Sequence, residues 1–163
     1  MIVVSDTTPI ITLLKIGRLD LLQLMYGFVK IPEAVFTELT QNPAFVNEAE
    51  IIRNCGFLQV TPVQDESKVS LLQKATGLDL GESEALTLCL ESHSDLLLMD
   101  EAHGRMVAKQ LGISMTGVVG VIATAYKRAI LSKDDILNYV ALLKDSDRFI
   151  SPKFLQYLID LTK

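Results

Sequence analysis

The segment Ile2-Val3-Val4-Ser5-Asp6-Thr7-Thr8-Pro9, residues 2–9, is the stretch that decides the fold of this chain. Its apolar, β-branched residues predict a short buried strand that ends at Asp6. Thr8 followed by Pro9 is typical of a helix start, with an N-cap and then a proline at the first helical position. This segment therefore predicts a strand, a turn and a helix in immediate succession.

The same kind of apolar run recurs along the chain, with helical patterns between the runs. Short apolar strands that alternate with helices indicate a mostly parallel sheet covered on both faces, since a surface strand would show polar alternation. The predicted class is α/β, a three-layer fold in one domain of residues 1–163, with residues 131–163 forming two C-terminal helices. The predicted strands are residues 2–5, 28–31, 57–60, 96–99 and 113–115.

Composition excludes several classes of protein. Hydrophobic residues make up 49% of the 163 residues, enough for a sizeable core without disulfides. The longest apolar stretch falls far short of the roughly 20 residues that cross a bilayer, and the first residues lack a basic leader, so we expect a cytoplasmic protein without membrane contact. Cys55 and Cys89 have no metal-ligand spacing and are expected to be reduced. With a net charge of −5, any nucleic-acid role must rest on local basic residues or bound cations.

Asp6 and Asp100 each follow an apolar predicted strand. In a parallel sheet the carboxyl ends of the strands share one edge, where ligands collect near the point at which the strand order reverses. An aspartate in that position is also a common loop or N-cap residue. Two such residues together favour a shared site over two separate caps.

Two glutamates are further candidates. Glu82 lies in the first turn of a predicted helix, where the helix dipole alone would favour it, yet its side of the helix is the one expected to be buried. Glu38 borders the apolar stripe of its own helix. Glu84 is expected to be a solvated charge, and Glu33 is the weaker candidate of its helix.

Carboxylates that converge in one cleft repel each other unless a cation neutralises them. Hard oxygen ligands favour Mg²⁺ or Mn²⁺, and these ions polarise phosphoryl oxygens and activate water for attack on a phosphodiester. The acidic residues therefore point to phosphoryl hydrolysis.

Four segments together resemble the PIN-domain family in order and spacing, over most of residues 2–130. They resemble most a prokaryotic subgroup of VapC-type toxins, and Arg105 and residues 116–120 also match that subgroup. The segments are Val4-Ser5-Asp6-Thr7-Thr8-Pro9, residues 31–39, Gly81-Glu82-Ser83-Glu84-Ala85-Leu86 and Leu97-Leu98-Met99-Asp100-Glu101.

The resemblance implies a Mg²⁺- or Mn²⁺-dependent endoribonuclease, which as a toxin would have a small antitoxin protein as partner. Glu82 stands where many relatives have aspartate, and the further acid often found after Asp100 is represented by Glu101. By resemblance, Thr7 or Thr8 supplies a hydroxyl to the site. The catalytic and metal-binding acids carried over are Asp6, Glu38, Glu82 and Asp100, with Glu101 as an additional metal ligand.

Arg105 and Lys109 share a helix face next to Asp100. They either contact RNA phosphates or balance acidic charge. His103 lacks a second histidine or cysteine at ligand spacing, so it is not assigned a role. No basic-aromatic pattern suggests stacking of bases. The apolar stripe of the last helix either packs on its own domain or forms a homodimer.

Two other classes of protein compete with the ribonuclease. One is an inactive domain of the same fold that binds RNA or protein. The other is a phosphoacceptor signalling domain, which also carries aspartates at strand ends. The segment Thr116-Gly117 disfavours the second, because phosphoacceptor domains resemble one another in having a lysine at that place.

Overall fold

The computed structural model of this chain describes residues 1–145 and 150–163. Within them one parallel sheet of five short strands, each of two or three residues, runs through the centre. The order across the sheet is β3-β2-β1-β4-β5. The strands are β1 (Val3–Ser5), β2 (Val29–Ile31), β3 (Leu58–Val60), β4 (Leu96–Leu98) and β5 (Met115–Thr116).

Helices connect the strands, as parallel pairing requires. A short 3₁₀ helix (Pro43–Phe45) precedes α4. The helices are α1 (Thr7–Lys15), α2 (Asp20–Tyr26), α3 (Glu33–Gln41), α4 (Val46–Arg53), α5 (Glu66–Thr76), α6 (Leu80–Ser92), α7 (Ala102–Gln110), α8 (Val118–Lys127), α9 (Lys133–Lys144) and α10 (Pro152–Leu161). In the ranges that the structure describes, no helix combines the length and the apolar character needed to cross a bilayer.

Strand β1 lies in the middle of the sheet, and the order of strands reverses between β1 and β4. In the register of β1 and β4, Val3 pairs with Leu96 and Ser5 pairs with Leu98. The backbone N–H of Asp6 donates to the carbonyl of Leu98 at 3.0 Å, which carries the pairing one residue beyond β1. The carboxyl ends of β1 and β4 therefore meet at the switch point, where open α/β sheets bind ligands.

Alternate side chains of the central strands enter two separate cores. Val3 and Leu98 pack with residues of α1, α2, α8, α9 and α10 on one face. Val4, Leu97 and Met99 pack with residues of α6 and α7 on the other face. The chain thus folds into three layers around a parallel sheet, and the α/β prediction is confirmed.

The start of α1 differs from the sequence prediction. Thr7 is the first helical residue and Asp6 occupies the N-cap position, with extended backbone angles of φ −80° and ψ 175°. The prediction that Thr8 is the N-cap and Pro9 the first helical residue is therefore wrong. Pro9 is still tolerated, because the first four N–H groups of a helix have no partner within it.

The apolar periodicity of the sequence also predicts helices over residues 118–130 and about 44–54, and both have different bounds in the structure. The helix predicted for residues 118–130 ends at Lys127, because Ala129 adopts a left-handed backbone conformation with φ 59°. The helix predicted for residues 44–54 is interrupted at Phe45. There the Asn42 side chain caps the 3₁₀ turn by accepting from the N–H of Ala44, and α4 begins afterwards.

Candidate functional site

Asp6 is the buried centre of the candidate site. It follows β1 at the switch point, and only 4% of its surface is exposed. Burial, with smaller contributions from the negative charges of Glu82, Asp79 and Glu38, raises the pKa of Asp6 to about 7. The backbone N–H of Thr7 opposes this rise only in part. Asp6 is thus crowded by three other carboxylates, which together with it we call the acidic cluster.

Glu38 enters the cluster from α3. Its Oε2 accepts a hydrogen bond of 2.8 Å from the Thr7 hydroxyl, the residue that follows Asp6. Val35, one helical turn before Glu38, and Leu39, the residue after it, are buried, so α3 is anchored in the core while Glu38 lies half-buried at its border. The structure therefore brings together Asp6, Thr7 and Glu38, three residues that the sequence placed in one site.

Glu82 belongs to a capping box at the start of α6. The N–H of Glu82 donates to Asp79 Oδ1 at 2.8 Å, and Glu82 Oε2 accepts from the N–H of Asp79 at 3.0 Å. Burial raises the pKa of Glu82, with Asp79 and Glu101 adding to the rise. Glu82 is therefore both a helix-start residue and a member of the acidic cluster.

Asp79 is the member of the cluster that the sequence interpretation missed. The spacing Asp79-Leu80-Gly81-Glu82 is itself the signature of a capping box, so the helix start was readable. Gly81, inside that turn, lies between two carboxylates: a Cβ added there would be 3.6 Å from Asp79 Oδ1 and 3.8 Å from Asp6 Oδ1. Only this tertiary approach reveals that Asp79 adds to the negative charge around Asp6.

The carboxylate of Asp100 has different surroundings from that of Asp6. Its Oδ1 accepts a hydrogen bond of 2.9 Å from the N–H of Val118, the first residue of α8. A carboxylate at a helix N-terminus is stabilised by the helix dipole. The structure thus gives Asp100 a capping role, although for α8 and not for α7, the helix that follows it directly in the chain.

Arg105 lies beside Asp100. Its guanidinium donates to the carbonyl of Met99 at 3.0 Å, just before Asp100. A side chain at Gly117 would collide with Asp100 Oδ1 and come within 3.2 Å of Arg105 Nη1. Glycine at this position therefore lets the carboxylate and the guanidinium approach the start of α8. Lys109 is exposed in the last turn of α7, farther from the site.

The remaining predicted residues surround this centre. Glu101 is exposed at the N-cap of α7, and with Thr8 and Asp100 it lines a hollow at the edge of the sheet. His103, which was given no role, lies with its Nε2 2.7 Å from the carbonyl oxygen of Thr76.

Glu84 departs from its prediction as a solvated charge. It is half-buried, and its Oε1 accepts from the N–H of Ala34 in the first turn of α3, at 3.3 Å. Burial raises the pKa of Glu84. It also lines an acidic hollow together with Glu33, Glu38 and Asp79. The prediction is wrong because the side chain reaches across to α3 instead of into solvent.

The acidic cluster offers carboxylate oxygens, which are the ligands that hard divalent cations prefer. All of its charged groups are carboxylates, and their mutual repulsion around buried Asp6 is what a cation would relieve. In residues 1–145 and 150–163, however, no group of three or more His, Cys, Asp or Glu side chains is positioned to hold a metal ion. Binding such an ion would therefore require side-chain movement of these carboxylates.

The fold and the site place this chain among α/β proteins that carry buried and half-buried carboxylates where the strand order of a parallel sheet reverses. A family model described as PIN domain matches residues 2–163, so this chain belongs to the PIN-domain family. PIN domains are in general nucleases that use divalent metal ions. The match includes α9 and α10, beyond the resemblance seen over most of residues 2–130. No curated protein matches the chain.

Proposed function

We propose that this protein is an endoribonuclease that depends on Mg²⁺ or Mn²⁺. The observation that carries the proposal is the crowding of Glu38, Asp79 and Glu82 around Asp6 at the sheet edge of a PIN-domain chain. Folding concentrates negative charge at this edge although repulsion opposes it, and a bound cation is the simplest compensation.

Asp6, Glu38, Glu82 and Asp100 would hold the ion, with Glu101 next to Asp100 as an additional ligand. Such an ion supplies polarisation of a phosphoryl oxygen and activation of the attacking water. Hydrolysis joins the oxygen of water to phosphorus, breaks one phosphorus–oxygen ester bond and transfers a proton to the leaving oxygen. Thr7, held by Glu38, keeps that carboxylate next to Asp6, and Arg105 offers a guanidinium for an RNA phosphate.

Cleavage of single-stranded RNA by purified protein tests the proposal. We expect cleavage with Mn²⁺, none with EDTA, and a loss on the order of 100-fold or more for Asp100→Asn. The matched control is Asp134→Asn, the same chemical change at an exposed position of α9. Identical purification of all proteins excludes a contaminating nuclease. Equal cleavage by the EDTA-treated protein or by Asp100→Asn would refute the mechanism.

We propose in addition that the nuclease is the toxin of a toxin–antitoxin pair that acts on cytoplasmic RNA. Its support is the resemblance of the four motif segments to VapC-type toxins, and two free cysteines agree with a reducing compartment. A small neighbouring gene whose product abolishes RNA cleavage by the purified protein would support this role. Full cleavage in the presence of every neighbouring gene product would contradict it.

An inactive domain that binds RNA or protein remains the alternative of a different class. It predicts RNA binding without cleavage under any metal condition. The homodimer suggested by the stripe on α10 is a separate proposal, and the molecular mass in solution tests it. A mass of one chain at all protein concentrations would reject the dimer.

A further inference from the structure

A hollow of about 580 Å³ adjoins Asp100 and is lined by residues of α7, α8 and α10. Its volume falls within the range of small-ligand sites. We call it the aromatic hollow, and the residues used below are Arg105, Gly117, Lys153, Phe154 and Tyr157. The acidic cluster and the aromatic hollow thus lie at the same edge of the sheet.

Two exposed rings line this hollow. Phe154 is 53% exposed and Tyr157 is 44% exposed, and their spacing of three residues places them on one side of α10. Leu155 and Leu158 of the same helix are buried in the core. The helix is therefore anchored by its leucines while its rings stay open to solvent.

The charge of the hollow is opposite to that of the protein. Arg105 and Lys153 supply two cations at its lining, against the single carboxylate of Asp100, in a chain of net charge −5. Asp160, near the end of α10, does not line the hollow. Its carboxylate accepts a hydrogen bond from Gln156 and pairs with Lys163. A mainly apolar hollow with aromatic rings and cations is suited to a flat aromatic group that carries phosphate.

We propose that the aromatic hollow holds one nucleobase of the RNA next to the phosphate that is cut. The base stacks on Tyr157, with Phe154 lining the hollow beside it, while Arg105 and Lys153 contact the neighbouring phosphates. This proposal rests on the ribonuclease function and adds to it a subsite for single-stranded RNA. A paired base could not enter such a hollow without leaving its duplex, so single strands are the expected substrate.

The chain contains no tryptophan, so one introduced tryptophan reports on its own surroundings. The reporter is Tyr157→Trp, titrated with a short single-stranded oligoadenylate RNA in EDTA at low salt, where the RNA stays intact. We expect saturable quenching by this RNA and little quenching by an RNA of equal length with abasic riboses. The matched control is Phe28→Trp, because Phe28 is 57% exposed and precedes β2 at the opposite edge of the sheet.

Affinity measurements complement the fluorescence. Tyr157→Ala should weaken RNA binding on the order of 10-fold, whereas Tyr157→Phe should bind like the wild type. Lys153→Ala should weaken binding and reduce its dependence on salt. Phe28→Ala serves as the control for loss of an exposed ring. Wild-type affinity in Tyr157→Ala, or equal quenching of both reporters, would overturn the proposal.

The outcomes separate this subsite from the ribonuclease itself. Quenching without any cleavage in Mn²⁺ would keep the subsite and reject the nuclease. Cleavage by the wild type without quenching would reject the subsite alone. If protein concentration, and not RNA, changes the emission of Tyr157→Trp, the hollow is a contact between copies of the chain and the subsite is rejected.

Discussion

Asp6 and Asp100 occupy equivalent places in the sequence pattern, each after an apolar run, yet the structure surrounds them differently. Asp6 is buried among other carboxylates, and its pKa is raised to about 7. Asp100 accepts a hydrogen bond from the start of α8 and lies beside Arg105. The strand places each carboxylate at the sheet edge, but the neighbouring helices decide its electrostatic environment.

The pH dependence of stability should expose Asp6 first. Because its folded pKa lies above the ordinary aspartate value of 3.8, the metal-free folded state binds more protons than the unfolded state between these values. The free energy of unfolding should therefore fall as pH rises from 4 through 7, by roughly 4 kcal/mol from this group. The measurement is urea unfolding across pH for wild type and Asp6→Asn. A constant difference between the two proteins over this range would contradict the prediction.

Opposite responses of the two aspartates provide the next test. Without metal at pH 8, Asp6→Asn should raise the free energy of unfolding on the order of 3 kcal/mol, because it removes a buried charge from a repulsive cluster. Asp100→Asn should lower it by about 1 kcal/mol, because the bond to the start of α8 loses its charge. Thermal unfolding of the two variants measures both effects. Changes of the same sign would show that the two environments are alike.

Two glycines allow a similar contrast. A Cβ at Gly117 collides with Asp100, so Gly117→Ala should cost about 1–3 kcal/mol of stability. A Cβ at Gly81 meets its neighbours at 3.6 Å or more, and alanine favours the helix, so Gly81→Ala should gain up to about 1 kcal/mol. Urea unfolding at one pH measures both values. The comparison fails if Gly117→Ala is as stable as the wild type.

The smallest expected effect concerns Glu82. Glu82→Gln keeps an acceptor for the N–H of Asp79 and removes a charge, so the metal-free melting temperature should rise slightly. Glu82→Ala loses the capping bond and should cost about 1 kcal/mol. If Glu82 also holds metal, both variants should show less stabilisation by Mn²⁺ than the wild type. A lower melting temperature for Glu82→Gln would mean that repulsion at this position is negligible.

The fold was predictable because its signals are local. Apolar β-branched runs such as residues 2–5 marked the buried strands, and their burial on both faces indicated a parallel sheet. The bounds were less accurate: Asp6, not Thr8, caps α1, since either residue type suits that position. Local patterns thus indicate which elements exist better than where each begins.

The candidate site was predictable only in part. Asp6, Glu38 and Glu82 follow recognisable elements, whereas the effect of Asp79 on Asp6 depends on how α6 packs against β1. The aromatic hollow joins Arg105 with Tyr157 of a distant helix. No local pattern connects such residues, so the basic-aromatic combination was absent from the sequence interpretation.

The central position of β1 has a consequence for the order of events during synthesis. Ile2, just before β1, bonds through its N–H to Asp95, 93 positions later and just before β4. A ribosome therefore releases one half of the sheet edge long before the half that carries Asp100. Contacts of such long range also slow folding. A growing chain consequently stays without a complete candidate site until β4 and α8 have left the exit tunnel.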